Sequence, residues 1–419
     1  MCYYPQATGE AEGTHVIPSS QFQNQIRQSD NEGAVPLAGA PGTVFITHWD
    51  TAHAGGSPAD KTRLMVKFAF SRVVHPLAYP VSQTPDVSAA GMALARPAKH
   101  PAATSRIFCW LRGVRWEPEP DGRSTDALLG CLNAHDDQPG RIAAIYALAA
   151  RPEAVGSLLA DLQSHGQRAG IVMQGDSGPL RGDNESLMAD AVKWSEDAVV
   201  MEDAAYSLAA VEPSAEVCGQ VVDALHSQSP DDEWTLLNLV FVLGEHGPAA
   251  LAAAGRLISL ARSSTSHRVV RMCLASLTQM MDSTAAPELQ ERAAVAVAEL
   301  LHGAPRAEDC RFASFQRRFF GKSDGHRGGA GLPLTSQSGL FCAHDQVRVM
   351  AAELANALAT GAASATDALV AALADPCGYV SQIAATALLR TGGQRGIAAA
   401  ARYWQASAWD GALRVGANY

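Results

Sequence analysis

The sequence has few aromatic residues, few charges and no closely paired cysteines. Aromatic residues make up 6% and charged residues 18% of the 419 positions, and the net charge is −10, so composition gives no overall attraction to nucleic acid or to an anionic membrane. The eight cysteines are scattered singly without a C-x-x-C pair, which argues against a zinc site or a dithiol redox centre. Neither G-x-x-x-x-G-K-[ST] nor G-x-G-x-x-G occurs, so nucleotide binding through those loops has no support.

Long apolar runs are also missing. No stretch of 18 or more consecutive apolar residues occurs, and the first residues lack a basic start followed by an apolar segment. We therefore expect no membrane span and no secretory signal, and we expect a cytoplasmic protein in a reducing compartment. With 47% hydrophobic residues, the chain is long enough to form two or three globular domains.

Short β-type runs, divided by Pro, Gly, Ser and Asn, occupy the first 80 or so residues. Residues 43–49 are rich in β-branched and aromatic side chains and follow the turn signal Pro41-Gly42, which predicts a strand. Residues 63–70 alternate in the manner of a half-buried strand. Its predicted apolar face consists of Leu64, Val66, Phe68 and Phe70.

From about residue 120 the sequence changes to segments rich in alanine and leucine, most of them bounded by Pro, Gly, Ser or Asp. These segments predict helices over residues 125–134, 141–150, 215–227, 233–245, 249–262, 268–281, 287–301, 346–359, 365–373 and 380–391. A Gly- and Asp-rich stretch, 170–185, and a long insertion, about 304–343, interrupt them.

Several of the predicted helices share one template. Residues 347, 351, 352, 354 and 355 align with small and apolar residues 33 positions later, namely Val380, Ala384, Ala385, Ala387 and Leu388. Residues 144–148 fit the same template, and residues 269–277 fit it more loosely. The pattern resembles degenerate HEAT repeats, which implies an α-solenoid whose concave surface binds a protein or peptide partner. A non-repetitive helical bundle is the alternative.

Candidate chemistry is concentrated between residues 47 and 63. The run Thr-His-Trp-Asp-Thr-Ala-His ends at His53, and Arg63 follows ten residues later. A non-haem Fe(II) oxygenase holds iron by two histidines and a carboxylate, with open positions for a 2-oxo acid and oxygen. The guanidinium fork of arginine suits the far carboxylate of such an acid.

Three segments in residues 1–75 resemble, in the correct order, the phytanoyl-CoA dioxygenase family. Residues 3–6 resemble one strand of that family, and residues 13–21 resemble its glycine, threonine, then Val-Pro-Gly-Ser-His segment, with Ser19 in place of glycine and Gln21 in place of histidine. Residues 42–46, leading into His53 and Arg63, resemble its final two strands.

This resemblance implies a partial double-stranded β-helix, a jelly-roll-like fold, over residues 1–118. It implies Fe(II) and 2-oxoglutarate as cofactors, with His53 as the distal iron histidine and Arg63 as the ligand of the 2-oxoglutarate carboxylate. The family's first metal motif, His-x-Asp or His-x-Glu, precedes the strand at Tyr3, so we expect a truncated domain of impaired or no activity. His48-Trp49-Asp50 has the right letters, but it lies three residues from His53, whereas the triad combines separated strands.

The predicted fold class is therefore α+β and multidomain: a partial jelly roll in residues 1–118 and an α-solenoid of HEAT-like repeats in 119–419. Its function is either that of a dioxygenase-like protein or that of a HEAT-repeat scaffold. Two weaker motifs are interpreted without catalytic chemistry. Residues 175–179 resemble the nucleophile motif of trypsin-like proteases and are interpreted as a surface loop. Residues 311–327, where five cationic residues are interleaved with four phenylalanines, are a candidate contact surface. Nucleic acid is not an expected partner.

Overall fold

The computed structural model describes residues 2–18, 20, 33–47, 51–56, 64–67, 106, 109, 121–134, 137–169, 171–173, 192–194, 196–229, 231–282, 284–302, 343–375, 377–391 and 393–407. These residues form a mostly helical protein with small antiparallel sheets, so the predicted α+β class is confirmed. The chain forms two compact units, Met1–Ala147 with Ile171–Trp194, and Leu148–Gly170 with Ser195–Tyr419. The predicted boundary at residue 118 lies outside the described residues and stays a prediction.

The first unit contains two three-stranded antiparallel sheets. Their strands are β1 (Cys2–Tyr4), β2 (Thr14–Val16), β3 (Val35–Leu37), β4 (Thr43–Phe45), β5 (His53–Ala54) and β6 (Val66–Lys67). In one sheet β1 lies between β4 and β6, and in the other β2 lies between β3 and β5. Consecutive strands are therefore neighbours only in the β2–β3 pair; every other connection passes from one sheet to the other.

A buried tyrosine joins the two sheets. Tyr4 on β1 is fully buried, and its ring packs edge-on against Phe45 of β4, with centroids 5.6 Å apart. The backbone N–H of Thr14 on β2 donates to the Tyr4 hydroxyl over 3.2 Å, and that hydroxyl lies 3.3 Å from the side-chain oxygen of Thr14. Tyrosine suits this position because its ring fills the core while its hydroxyl is satisfied by the opposite sheet.

The predicted apolar face of the last strand is wrong by one residue. Leu64 and Val66 are 56% and 44% exposed, whereas Met65 contacts the buried Thr14 side chain, with sulfur and oxygen 3.8 Å apart. Val66 pairs with Tyr3, which fixes this alternation because the next residue, Tyr4, points inward. Phe68 and Phe70 lie outside the described residues.

The other predicted strand is shorter than expected. It covers Thr43–Phe45, and Ile46 beyond it is 83% exposed. The unit also contains α1 (Thr125–Leu132), most of α2 (Gln138–Leu148), and an unpredicted two-stranded ribbon formed by β7 (Ile171–Met173) and β8 (Val192–Trp194).

The second unit is helical throughout the part that the structure describes. Its α-helices are α3 (Val155–Gly166), α4 (Glu196–Ala210), α5 (Ala215–Ser227), α6 (Glu233–His246), α7 (Ala254–Ser263), α8 (His267–Met280), α9 (Pro287–His302), α10 (Ala343–Leu358), α11 (Thr366–Ala372), α12 (Gly378–Thr391) and α13 (Gln394–Ser407). Ser214, Asp232 and Ser266 cap α5, α6 and α8 by accepting a backbone N–H three residues on.

These helices form two rows. The even-numbered helices α4, α6, α8, α10 and α12, which we call the first helices, contact one another in that order, and α3 packs against α4. The other row consists of the second helices, α7, α9, α11 and α13, which contact one another in that order. Helix α5 extends this row because it contacts the 3-10 segment that precedes α7. Helices α5, α7, α9 and α11 each contact the first helix that follows them. Each pair therefore buries its apolar side against the next pair.

Aligned positions of the sequence template have equivalent environments. All ten aligned residues of α10 and α12 are buried, as are Val269, Cys273, Leu274, Ser276 and Leu277 of α8. Two 3-10 segments of the same length, Gly247–Ala253 and Ala359–Ala365, follow α6 and α10. Both start with a left-handed residue, Gly247 at φ +57° and Ala359 at φ +51°.

One continuous helical segment of the described residues is long and apolar enough to cross a membrane by length and composition. It runs from Glu233 to Ser263, and 61% of its apolar window is buried inside the protein. Core helices of globular proteins share this length and composition, so the segment is weak evidence for a span.

Candidate functional site

His53 is the predicted site residue that the structure describes. It begins β5, where it pairs with Val16 of β2, so the two side chains share the face of the sheet on which Val16 is buried. Its Nδ1 lies 2.8 Å from the carbonyl oxygen of Thr51. A carbonyl can only accept, so Nδ1 carries the hydrogen, and a neutral ring then leaves the Nε2 lone pair available. His53 is exposed.

The other predicted members of this site, Arg63, His48 and Asp50, lie outside the described residues. Within the part that is described, no group of three His, Cys, Asp or Glu side chains is arranged to hold a metal ion. His53 fits the role of one ligand, because metal-bound histidines usually donate their other ring N–H to an oxygen. The described residues supply no complete triad.

The two weaker motifs, residues 175–179 and 311–327, also lie outside the described residues.

A buried Cys–His pair, which sequence reasoning missed, lies in the helical unit. The Sγ atom of Cys218 is 3.6 Å from Nδ1 of His246, whose Nε2 donates to the Leu208 carbonyl over 3.0 Å. Burial raises the pKa of the Cys218 thiol, so this pair contributes a core hydrogen bond and not an activated nucleophile.

A second candidate site extends across the first helices. Partly exposed side chains from α4, α6, α8 and α10 form what we call the first-helix surface, which comprises Glu202, Tyr206, Trp234, Phe241, Arg268, Arg271, Gln346 and Glu353. Along each helix these residues are three, four or seven positions apart, so they share one helix face.

Side-chain contacts connect this surface from helix to helix. The rings of Tyr206 on α4 and Phe241 on α6 meet edge to face with centroids 5.6 Å apart. The guanidinium of Arg268 on α8 lies over the Trp234 ring of α6, 5.4 Å from its centroid. Arg271 on α8 donates to the side-chain oxygen of Gln346 on α10. The surface is therefore continuous over four first helices.

Neighbouring protein groups shift the pKa of three charged side chains on this surface. Burial raises the pKa of Glu202 to about 7, with a smaller contribution from the Asp203 charge, and burial also raises the pKa of Glu353. Burial, and then the charge of Arg268, lowers the pKa of Arg271, although its side chain is solvent-exposed. Protein around these groups therefore displaces part of the water that would otherwise solvate their charges.

A separate ion-pair cluster joins α3 to α4. The Asp197 carboxylate accepts from Arg168 over 2.9 Å and lies 2.6 Å from Nδ1 of His165. Arg168 and then His165 lower the pKa of Asp197. Asp197 lies in the first turn of α4, where a negative charge is favourable, and His165 lies in the last turn of α3, so the cluster is explained by packing.

The sequence template predicted buried positions and not this surface. A signal was present in the sequence, since Trp234 and Arg268 are 34 residues apart, close to the 33-residue offset of the repeat.

Comparison with known proteins adds no assignment for either site: no protein-family model, no curated protein and no solved structure matches the chain.

Proposed function

We propose that the second unit is an α-solenoid of HEAT-type repeats and that its function is to bind an extended segment of a partner protein. The continuous first-helix surface carries this proposal. It combines aromatic side chains with desolvated charges, the composition that anchors protein partners at the centre of interfaces.

The packing of the helices supports the repeat architecture. Each pair contacts the next through both rows, and residues that align in the sequence template are buried in α8, α10 and α12. Repeats of this kind expose one long face because every pair contributes an equivalent helix to it. A non-repetitive bundle would not be expected to place left-handed residues at the equivalent positions Gly247 and Ala359.

Selection of a displayed random peptide library on the immobilised full chain tests this function. Synthetic copies of the selected peptides are then titrated in solution. Tyr206→Ala, which removes an exposed ring from the surface, should weaken binding by about tenfold. Ile397→Ala on α13, an exposed side chain in the other row, is the matched control and should leave affinity unchanged. Failure to select any peptide sensitive to Tyr206 would contradict the proposal.

A second function is favoured by the order of the six strands. We propose that residues 2–67 form part of a jelly-roll domain related to the Fe(II)/2-oxoglutarate-dependent dioxygenases. A jelly roll has eight antiparallel strands in two sheets, and its chain passes repeatedly between them. The observed sheets, β4-β1-β6 and β3-β2-β5, have the order expected for the last six of these strands.

His53 supports the same relationship. It starts the fifth of the six strands on the inward face, and its Nε2 has no hydrogen-bond partner among the described residues. With Fe(II) and a 2-oxo acid bound, such a domain would activate oxygen for hydroxylation. Because residues 1–75 supply a single ligand of the three by this resemblance, we propose that iron binding by these residues is weak.

Anaerobic titration with Fe(II) and 2-oxoglutarate, followed by absorbance, tests this second function. His53→Ala and Arg63→Gln should each reduce the absorbance change. His226→Ala, which removes an exposed histidine from α5, should leave it intact. No absorbance change at millimolar cofactor would eliminate the dioxygenase activity.

A further inference from the structure

The first turn of α8 has an unusual charge distribution. This helix starts at His267, and its first turn contains no acidic residue. Arg268 lies in this first turn and Arg271 one turn later, both on the first-helix surface. The positive end of the helix dipole disfavours cations at this end, so the arrangement opposes local helix stability and attracts negative charge.

The two arginines differ in how their charges are satisfied. Arg268 stacks on Trp234, and its nitrogen lies 3.8 Å from the Glu233 carboxylate. Arg271 contacts Gln346, a neutral amide, and among the described residues it forms no ion pair with a carboxylate. Burial lowers the pKa of Arg271, and the positive charge of neighbouring Arg268 lowers it further. A partly desolvated guanidinium without a counter-ion gains most from an anion.

We propose that Arg271, with Arg268 beside it, is the anchor for an acidic side chain of a bound peptide, and that Trp234 packs against an adjacent apolar or aromatic residue of that peptide. This inference rests on the proposed scaffold function and specifies the chemistry of its partner. The planar fork of Arg271 matches a carboxylate in geometry. Trp234 offers a large apolar face next to that charge.

Charge complementarity favours a peptide over nucleic acid. The same surface carries Glu202 on α4 and Glu353 on α10, and the whole chain has a net charge of −10. A continuous phosphodiester backbone would be repelled by the net negative charge of the chain, whereas a peptide can present one acid to Arg271 and neutral or basic residues on either side.

Selection of the displayed peptide library on the immobilised full chain also tests this inference, because the sequences of the selected peptides show which residues the surface prefers. Peptides whose binding depends on Tyr206 should be enriched in Asp or Glu next to an aromatic or large apolar residue. For one such synthetic peptide, Arg271→Gln should weaken binding about tenfold or more, and Arg271→Lys should weaken it less. Arg402→Gln on α13, an exposed arginine in the other row, is the matched control. Circular dichroism verifies that each variant is folded.

A second peptide completes the cycle. Replacing its acidic residue by the corresponding amide should cost about tenfold on the wild type and nothing further on Arg271→Gln. Peptides that bind through Tyr206 without an acidic preference would overturn this inference and leave the scaffold function intact. Absence of any Tyr206-dependent peptide would overturn both. Tighter binding when the acid is replaced by phosphoserine would show that a phosphate, and not a carboxylate, is the intended anion.

Discussion

The guanidinium of Arg268 lies over the indole of Trp234, 5.4 Å from the ring centroid, and so joins α8 to the preceding first helix, α6. A partly exposed contact of this type contributes about 0.5–1 kcal/mol. In a double-mutant cycle with Trp234→Leu and Arg268→Met, the double variant should be less destabilised than the sum of the single variants by about that amount.

Urea unfolding of the four proteins measures this coupling. Trp234→Leu combined with Arg402→Met provides a reference, because Arg402 lies on α13 in the other row, and these two changes should be additive. Equal non-additivity in both cycles would show that the contact has no specific energy.

Close packing between α6 and α8 depends on Gly244. A Cβ atom at this position would lie 2.5 Å from the Ser276 hydroxyl and 3.0 Å from the Ser276 Cα. Because the backbone of α8 cannot move aside locally, Gly244→Ala should lower the free energy of unfolding by roughly 1–3 kcal/mol. Denaturant unfolding measures it.

Gly219→Ala is the matched control. Gly219 lies inside α5, and a Cβ there would have no neighbour within 4 Å. The substitution should therefore stabilise the helix by up to about 1 kcal/mol. If both substitutions were stabilising, the close contact between α6 and α8 would be wrong.

Most helices could be predicted from the sequence because their apolar pattern and boundary residues agree. Residues 215–227 were predicted with the observed bounds of α5, and the segment 249–262 was found with a 3-10 first part. Three helices, α3, α4 and α13, were missed. In α3, Gly156 and Ser157 interrupt the local pattern, and burial of Leu158 and Leu162 by tertiary packing decides the conformation.

The candidate sites were less predictable than the helices. The alternation of residues 63–70 could not show which side chains of β6 point inward, because Met65 and Val66 are both apolar. Pairing of β6 with β1, where Tyr4 points inward, determines that Met65 is the inward residue. The contacts of Trp234 with Arg268 and of Arg271 with Gln346 join first helices that are separated in sequence by a second helix, α7 or α9. Only the order of packing reveals them.

Ala359 has a left-handed backbone, with φ +51°, at a position equivalent to Gly247. This conformation costs a residue with a Cβ about 1–2 kcal/mol, more than the entropy that glycine loses on folding. Ala359→Gly should therefore raise the free energy of unfolding by about 0.5–1 kcal/mol.

Two further variants separate this backbone effect from a general response to glycine. Gly247→Ala should lower the free energy of unfolding because alanine disfavours the positive φ of this position. A Cβ there would have no neighbour closer than 3.7 Å, so steric contact does not contribute to the effect. Ala401→Gly, inside α13, should cost about 1 kcal/mol. If Ala359→Gly destabilised to the same extent as Ala401→Gly, the left-handed conformation of Ala359 would be contradicted.

Glu202 should make stability depend on pH. Burial, helped by the Asp203 charge, raises the pKa of this carboxyl from 4.5 to about 7 in the folded protein. Between these values the folded state retains a proton that the unfolded chain has released, so its contribution to the free energy of unfolding falls as pH rises from about 4.5 through about 7. Glu202→Gln cannot ionise and should remove this part of the dependence.

Urea unfolding at pH 5 and pH 8 tests the sign directly. Wild type should lose more stability between the two pH values than Glu202→Gln does, and the variant should gain relative to wild type at pH 8. Glu291→Gln, which replaces an exposed carboxylate on α9, is the control for removing one negative charge. Because histidine titration is common to all three proteins, it cancels in the comparison. Parallel losses in wild type and Glu202→Gln would contradict a desolvated Glu202.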